Sequence, residues 1–434
     1  MVVVFNNKSI PPGPDEAFEL EAHPQILTLM LQLFGEFGAI YKIFSKQRNK
    51  YTYVLSDPEM VKHVLITNNR NYEKGVGIDR VQILLGNGIM VSEGAYWRRQ
   101  RRMIQPAFHK KVIEQLAADI VATNQMMLAR WKEKAQRGVL LNLTDELSEI
   151  TSQIVLRALF SRDFDGMDNG TGRQPFAILT AEHARDLLFA MKFRGLSSVI
   201  MEVIHARREQ GRMEEDFLSM MMAARDQETG KGMSDKELVD ETMTLIVAGH
   251  ETTASALTWA WYLLSRNTAV YAKAKAEALA FRETELGFQE LQHMPYIKQV
   301  IDEAMRLYPP GWLLTRKALT DDQIGTYHVP AGTDIFISPY LIHRHPTIWE
   351  NPESFDPDRF DPSLGKERHR FAYFPFSGGP RQCIGDYFAQ VEMQLHIALV
   401  LRELDVEVLA EEPVALEAQI NLRPSKAFFA RVKI

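Results

Sequence analysis

Cysteine is almost absent from this sequence, because Cys383 is the one cysteine among 434 residues. A single cysteine excludes a disulfide within the chain, which favours the reducing cytoplasm as its location. Long apolar runs are absent too, since none reaches the roughly 18 residues that a membrane-spanning helix needs. Residues 1–10 lack the charged-then-apolar order of a signal peptide. These absences together predict a chain with no transmembrane anchor.

Excess positive charge is a third feature that the sequence lacks. The formal net charge of −6 argues against general nucleic-acid binding. The hydrophobic fraction of 46% and the charged fraction of 24% are ordinary for a globular chain. Length alone would suggest about two or three domains, so the division into domains has to come from motifs.

Apolar periodicity and capping signals predict a mainly helical chain with a few strands. Ser234 and Glu237 form a Ser-x-x-Glu capping box, which opens the longest predicted helix, running to about Ser265. Further helices are predicted over 26–41, 59–67, 144–159 and 387–404. Strands are predicted over 51–55, 329–335 and 428–432, where β-branched and aromatic residues are frequent.

The lone cysteine lies in an unusual turn, Phe-Ser-Gly-Gly-Pro-Arg-Gln-Cys-Ile-Gly, which spans 376–385. A lone cysteine is usually a small buried hydrophobe. That role does not require the glycines, the proline and Arg381 that surround Cys383. A thiolate just before a helix is stabilised by the helix dipole and by backbone N–H groups, and glycines let the backbone approach a flat ligand.

These residues match the pattern Phe-x-x-Gly-x-Arg-x-Cys-x-Gly, and the chain resembles the cytochrome P-450 superfamily over nearly its whole length. The resemblance implies a mainly α fold, a helical prism with a minor β-sheet region, as one haem domain over 1–434 with no fused reductase. It implies haem b as cofactor and O2 as co-substrate. Cys383 would be the thiolate ligand of the haem iron, with Phe376 and Gly385 beside the cofactor.

A second motif, Ala-Gly-His-Glu-Thr-Thr, occupies 248–253 in the middle of the longest predicted helix. One interpretation is a tolerated glycine in a core helix, bent by threonine hydroxyls that bond to carbonyls behind them. The resemblance implies more. Thr252 would hold a water beside oxygen, Glu251 would feed protons inward, and Ala248 would touch haem or substrate. We interpret His250 as structural.

Basic residues before and after these motifs predict contacts to the haem propionates and to an electron donor. Trp97 and Arg101 stand at i, i+4 and therefore share a helix face. The resemblance implies that both bind a propionate, together with Arg316, Arg381 and, as a weaker candidate, Lys74. The remaining cations would form a patch for a ferredoxin or flavodoxin-type donor with its own reductase; they are Arg98, Arg99, Arg102, Lys110 and Lys111.

A Glu-x-x-Arg pair, Glu303 and Arg306, precedes the cysteine loop. An exposed ion pair of this kind would contribute little. The resemblance implies instead a buried pair tied to a later arginine, which in this sequence is Arg359. We predict a structural role for all three residues, holding the haem-binding core together.

The substrate is predicted to be a hydrophobic small molecule such as a fatty acid or a terpenoid. The pocket candidates are apolar, although core packing is an equal alternative for Met90. They are Ile89, Met90, Trp312, Leu313 and Leu314. The lid over this pocket, within 166–208, is shorter than the family normally has. Either the lid is short, or residues are missing from the numbering.

The implied reaction inserts one oxygen atom from O2 into a C–H bond, with electrons from NAD(P)H through a separate carrier. A peroxide-driven or non-hydroxylating haem-thiolate enzyme is one alternative. A haem sensor without enzymatic activity is another. The intact Glu251–Thr252 pair argues against both, since the peroxide-driven members of the family often lose this pair and a sensor needs no proton relay.

Overall fold

The computed structural model describes residues 9–20, 23, 25–167, 174–181, 187–281, 285–364 and 368–434. Helices dominate, in accordance with the predicted fold class. The α-helices in these ranges are α1 (Ile26–Phe37), α2 (Pro58–Lys62), α3 (Ile78–Leu85), α4 (Gly94–Ile104), α5 (Lys110–Gln136), α6 (Leu143–Phe160), α7 (Asp163–Gly166), α8 (Ile178–Ala181), α9 (Leu187–Glu209), α10 (Phe217–Ala223), α11 (Asp235–Arg266), α12 (Thr268–Leu279), α13 (Pro295–Leu307), α14 (Pro339–Ile342) and α15 (Asp386–Glu403).

The strands are short and form a minor part of the fold. A five-stranded sheet has the order β1-β2-β8-β5-β3, a three-stranded sheet has the order β4-β12-β9, and β6-β7 and β10-β11 are hairpins. The strands are β1 (Ile40–Ser45), β2 (Lys50–Leu55), β3 (Tyr72–Lys74), β4 (Leu141–Asn142), β5 (Leu314–Ala318), β6 (Asp322–Ile324), β7 (Tyr327–Val329), β8 (Asp334–Ile337), β9 (Asp405–Leu409), β10 (Leu416–Ala418), β11 (Leu422–Pro424) and β12 (Phe429–Lys433).

The longest helix of the described chain, α11, begins and ends where the sequence predicts. The Ser234 hydroxyl accepts the Glu237 backbone N–H at 3.3 Å, and the Glu237 carboxylate accepts the Ser234 backbone N–H at 2.7 Å. This reciprocal pair satisfies two donors that a helix start leaves free. Almost every residue from Glu241 to Leu264 is buried, so α11 runs through the centre of the core.

Two of the predicted elements are wrong in extent. The predicted helix over 26–41 ends at Phe37, because Ile40 and Tyr41 instead pair with Leu55 and Val54 of β2. The predicted strand over 329–335 is divided between β7 and β8, which belong to different sheets. Strand pairing decided both cases, and pairing partners are distant in sequence.

The other predicted helices and strands are confirmed. The segment 59–67 forms α2 and a following π-helical turn, His63–Thr67. The predictions over 144–159 and 387–404 correspond to α6 and α15. No helix of the described residues is long and apolar enough to cross a membrane. The predicted short lid includes 168–173 and 182–186, which lie outside the described residues.

Candidate functional site

The cysteine loop is folded by its own backbone. The Cys383 N–H donates to the Phe376 carbonyl at 2.9 Å, and the Gln382 N–H donates to the Gly379 carbonyl at 3.1 Å. Gly385 caps the start of α15, where its carbonyl accepts the Ala389 N–H at 2.9 Å. The loop therefore presents Cys383 just before a helix N-terminus, and Phe376 is half-buried against the main core.

The Cys383 side chain is exposed, although protein atoms surround it. The surrounding protein raises the pKa of the thiol to about 11, the nearby Asp386 carboxylate adding to the rise, while a Gly385 backbone N–H and Arg101 oppose it. Such a thiol is neutral by itself and becomes a thiolate when it ligates a metal ion.

A cluster of cations lies beside this loop. Burial, followed by repulsion from Arg381, lowers the pKa of Arg316 to about 10 and that of Lys74 to about 7. Arg381 is paired with Glu93. Arg316 makes no ion pair with a carboxylate of the described chain; one Nη donates to the Thr315 carbonyl at 2.8 Å. Buried like charges of this kind are costly without compensating anions.

Trp97 and Arg101 of α4 join this cluster. The Arg101 guanidinium donates to the Gln382 carbonyl at 2.9 Å, next to Cys383. The Arg381 guanidinium lies over the Trp97 ring, 4.3 Å from its centroid, as a cation–π contact. All five predicted propionate ligands are thus gathered around one loop. The set fits a flat cofactor that carries two carboxylates and a metal ion able to bind a thiolate.

The middle of α11 is the accessible part of an otherwise buried helix. Ala248, Gly249, Glu251 and Thr252 are half-buried, whereas the other residues from 241 to 264 are buried. The Thr252 hydroxyl donates to the Ala248 carbonyl at 2.7 Å, as expected for a threonine that bends a helix. A Cβ on Gly249 would lie 2.8 Å from Val155, so glycine permits α6 to pack closely here.

A cavity of about 100 Å³ is lined by Glu251 together with residues of α6 and of the β10–β11 hairpin. The Asn421 side-chain amide donates to the Glu251 carboxylate at 3.2 Å. His250 lies 2.8 Å from the Ser148 hydroxyl and is buried. The further polar lining of the cavity is Thr144, Asp145, Thr180, Ser255, Thr258, Gln419 and Arg423.

The predicted structural residues form one buried network. Both carboxylate oxygens of Glu303 accept hydrogen bonds from Arg306, at 2.7 and 2.8 Å, and both side chains have 0% exposure. Arg359 donates to Glu303 at 3.2 Å. Arg306 also donates to the carbonyls of His343 at 2.8 Å and Pro352 at 2.6 Å. The network fastens α13 to the segment that precedes the cysteine loop.

The five pocket candidates fall into two places. Ile89 is buried and Met90 half-buried in the turn before α4, against the main core. Trp312 is buried in a different cluster that contains α1, and its indole N–H donates to the Gln419 carbonyl at 2.8 Å. Leu313 and Leu314 are half-buried and pack on separate clusters.

The basic patch is only partly available. Arg99 pairs with Glu237 at 2.6 Å, and Arg102 pairs with Asp226 at 3.1 Å. The other three members are exposed and make no ion pair with a carboxylate of the described residues; they are Arg98, Lys110 and Lys111.

Sequence reasoning missed two acidic residues. Glu93 pairs with Arg381, and the buried Glu241 accepts the Ile89 N–H at 2.8 Å. Glu241 lies seven residues before Ala248, and seven residues are almost exactly two helical turns, so both share one face of α11. The seven-residue spacing can be read from the sequence and could have identified Glu241. Its contact with Ile89 can be seen only in the structure.

Comparison with known proteins gives this arrangement a family. The cytochrome P-450 family model matches residues 15–174 and 173–430. Cyclooctatin synthase of Streptomyces melanosporofaciens is 35% identical over 380 residues, which cover 80% of this chain and 79% of that protein. Pentalenene oxygenase of Streptomyces avermitilis is 32% identical over 384 residues, covering 84% of each chain.

A solved structure has the same fold. The crystal structure of a cytochrome P-450 haem domain superposes with a TM-score of 0.86 at 24% identity, over 98% of this chain and 97% of that one. The family match extends over most of the chain, and the relatives include named oxygenases. This chain belongs to the cytochrome P-450 family of haem-dependent, O2-using monooxygenases.

Proposed function

We propose that the chain forms one haem domain, as predicted over 1–434, that binds haem b and hydroxylates a terpenoid hydrocarbon. The observation that carries the cofactor assignment is the cation cluster of Arg316, Lys74 and Arg381 around the cysteine loop. This cluster carries more positive charge than the single carboxylate of Glu93 can balance. Two propionates would supply the missing anions, each accepting charge-assisted hydrogen bonds.

When bound, the haem supplies the oxygen-activating chemistry, in which one atom of O2 enters a C–H bond and the other leaves as water with two electrons and two protons. The chain's part in this is ligation, orientation and proton supply. Cys383 is the thiolate ligand, while Phe376 and Gly385 shape the loop around it. Trp97 and Arg101 orient the propionates from α4.

Protons reach the site through the polar cavity beside α11. Glu251 lines that cavity and exchanges protons with water in it. Thr252, one residue further along α11, holds a water with its hydroxyl and passes the proton on. Ala248 has no polar atom in its side chain and leaves room for substrate on the same face. The cavity supports an O2-dependent reaction over a peroxide-driven one or a sensor.

The substrate class rests on the relatives and on the apolar pocket candidates. One relative is named for pentalenene, a cyclic hydrocarbon, and the other for cyclooctatin. Ile89, Met90 and Leu313 offer apolar side chains to the pocket. A cyclic terpenoid therefore fits better than a fatty acid, which is the second candidate.

Electrons come from a separate ferredoxin or flavodoxin-type protein. Arg98, Lys110 and Lys111 are the exposed cations available to an acidic partner. The repulsion between Arg98 and Arg381 indicates that this surface adjoins the cysteine loop. The reducing compartment predicted from the single cysteine stays a prediction.

The test is a spectroscopic titration of the purified ferric protein with pentalenene, palmitate and a steroid. The Soret band reports displacement of water from the iron. We expect a high-spin shift at the lowest concentration with pentalenene, followed by a hydroxylated product when a surrogate reductase and NADPH are supplied. A shift with palmitate alone would replace the terpenoid assignment by fatty-acid oxidation. Product from hydrogen peroxide but none from NADPH would favour the peroxide-driven alternative.

A further inference from the structure

A tight turn at 86–92 is fastened to α11 with unusual closeness. A Cβ on Gly86 would lie 2.1 Å from an Asp240 carboxylate oxygen. A Cβ on Gly88 would lie 2.0 Å from the Thr244 hydroxyl and 2.7 Å from the Asp240 carbonyl. Distances below 3 Å leave no room for a side chain. Both glycines therefore allow the backbone of the turn to rest directly on the helix.

Two ionisable side chains hold the backbone of Ile89 from opposite sides. Its N–H donates to Glu241 Oε2 at 2.8 Å, and its carbonyl accepts a hydrogen bond from Lys74 Nζ at 3.0 Å. Lys74 Nζ also donates to the Ser92 carbonyl at 2.9 Å, and the Asn87 N–H donates to Asp240 at 3.0 Å. The turn that carries Ile89 and Met90 is thus fixed by α11 and β3 together.

Burial of Glu241 at this position costs free energy of folding. Its side chain is completely buried, and Oε1 has no hydrogen-bond partner among the described residues. Burial, assisted by repulsion from Asp240 and Glu237, raises the pKa of its carboxyl to about 8. An apolar side chain would avoid the cost of burying a polar group. A specific task at the turn accounts for its presence.

We propose that Glu241 and Lys74 are positioning residues that hold the 86–92 turn against α11 and so determine which carbon of a substrate is presented for oxidation. The inference rests on the proposed function of this site. Met90 is half-buried at the tip of the turn, while Ala248 lies two helical turns from Glu241 on the same helix face. The turn and α11 would form two walls of the pocket, so fixing the turn to α11 sets the distance between Met90 and Ala248.

Glu241→Gln and Glu241→Leu form a matched pair. Glutamine retains an acceptor oxygen for the Ile89 N–H and resembles the neutral carboxyl, whereas leucine leaves that N–H without a partner. We measure exchange of the Ile89 amide hydrogen by mass spectrometry with residue resolution. We also measure the dissociation constant of phenylimidazole, which fills the space above the iron whatever the natural substrate is.

For Glu241→Leu we expect Ile89 exchange about tenfold faster and phenylimidazole binding altered by about tenfold. The ratio of hydroxylated pentalenene products should change as well. Glu241→Gln should resemble the wild type in all three measurements. The Cys383 amide, which donates to the Phe376 carbonyl outside the turn, is the internal control for exchange.

Wild-type exchange at Ile89 in Glu241→Leu would show that Glu241 does not hold the turn. Faster exchange with unchanged phenylimidazole binding and product ratio would show that the turn does not position the substrate. If Glu241→Leu does not fold, Gly88→Ala tests the proposal instead. The Cβ added at position 88 displaces the turn and leaves Glu241 unchanged. If pentalenene is not a substrate, amide exchange at Ile89 and phenylimidazole binding still test whether Glu241 holds the turn.

Discussion

The network around Glu303 and the region around the 86–92 turn differ in how their charged groups are satisfied. Glu303, Arg306 and Arg359 form a completely connected network, with each charge paired and further hydrogen bonds to carbonyls. At the turn, one oxygen of Glu241 accepts a hydrogen bond and the other has no partner among the described residues, while Lys74 is a half-buried amine whose pKa is lowered to about 7.

The difference shows where the loss of one partner is costly and where it is tolerated. In a satisfied buried network, removing any partner would leave an uncompensated charge. The 86–92 turn is instead held by a few individual hydrogen bonds, and it has no side chains at Gly86 and Gly88. Such a region can be altered by single substitutions while the fold persists.

The largest expected effect is on catalysis at α11. Glu251→Gln removes the group that we propose exchanges protons at the cavity beside α11. We expect the rate of product formation to fall by about 10²–10⁴-fold, the usual contribution of a general acid–base group. The measurement is the rate of product formation with NADPH and a surrogate reductase. Thr253→Ser, on the buried side of the same turn, is the control; an undiminished product yield in Glu251→Gln would remove Glu251 from the mechanism.

The next effect is on stability at the cofactor side. Arg306→Leu leaves Glu303 buried with only Arg359 as a charged partner. We expect the free energy of unfolding to fall by about 3–5 kcal/mol. Arg431→Ala breaks the exposed pair with Glu407 and should cost less than about 1 kcal/mol. Urea denaturation followed by tryptophan fluorescence compares the two, and equal losses would contradict the contrast between buried and exposed pairs.

A smaller effect is expected at the start of α11. Ser234→Ala removes one half of the capping box, and we expect a loss of about 1 kcal/mol. Ser234→Asn retains a capping oxygen and should be close to the wild type. Thermal unfolding monitored by circular dichroism measures both variants. A similar loss in both would mean that the cap hydrogen bond does not stabilise this end of the helix.

The smallest effect is expected for electron transfer. Lys110→Glu and Lys111→Glu reverse charges that are exposed and unpaired within the described chain. We expect a few-fold slower reduction by an acidic ferredoxin at low salt, and little difference at high salt because screening removes the long-range attraction. Stopped-flow reduction across a salt series checks this. Arg431→Glu is the control for a change in net charge alone.

Continuous motifs predicted the local structure well. The cysteine loop, the Glu303–Arg306 pair and the longest helix all depend on residues close in sequence, and their local geometry follows from that spacing. The family and the mainly α fold were predicted correctly from them. The propionate candidates were also found to lie together, from Trp97 on α4 to Arg316 on β5.

Contacts between distant segments were not predictable. Glu241 and Ile89 are separated by more than a hundred residues, and only the docking of the turn on α11 joins them. The same cause made the strand over 329–335 and the end of α1 wrong, since strand partners lie elsewhere in the chain. Trp312 was predicted as a pocket residue, yet its bond to Gln419 and its packing beside α1 depend on tertiary structure.

The central claim is that Cys383 is the thiolate ligand of a haem held by the surrounding cations. The most direct measurement is the carbon monoxide difference spectrum of the reduced, haem-loaded protein, compared with that of Cys383→Ser. We predict the thiolate-type Soret band in the wild type and its loss in the variant, with haem retained or released. A thiolate-type band that persists in Cys383→Ser would contradict the assignment, and so would a wild type that binds haem without showing that band.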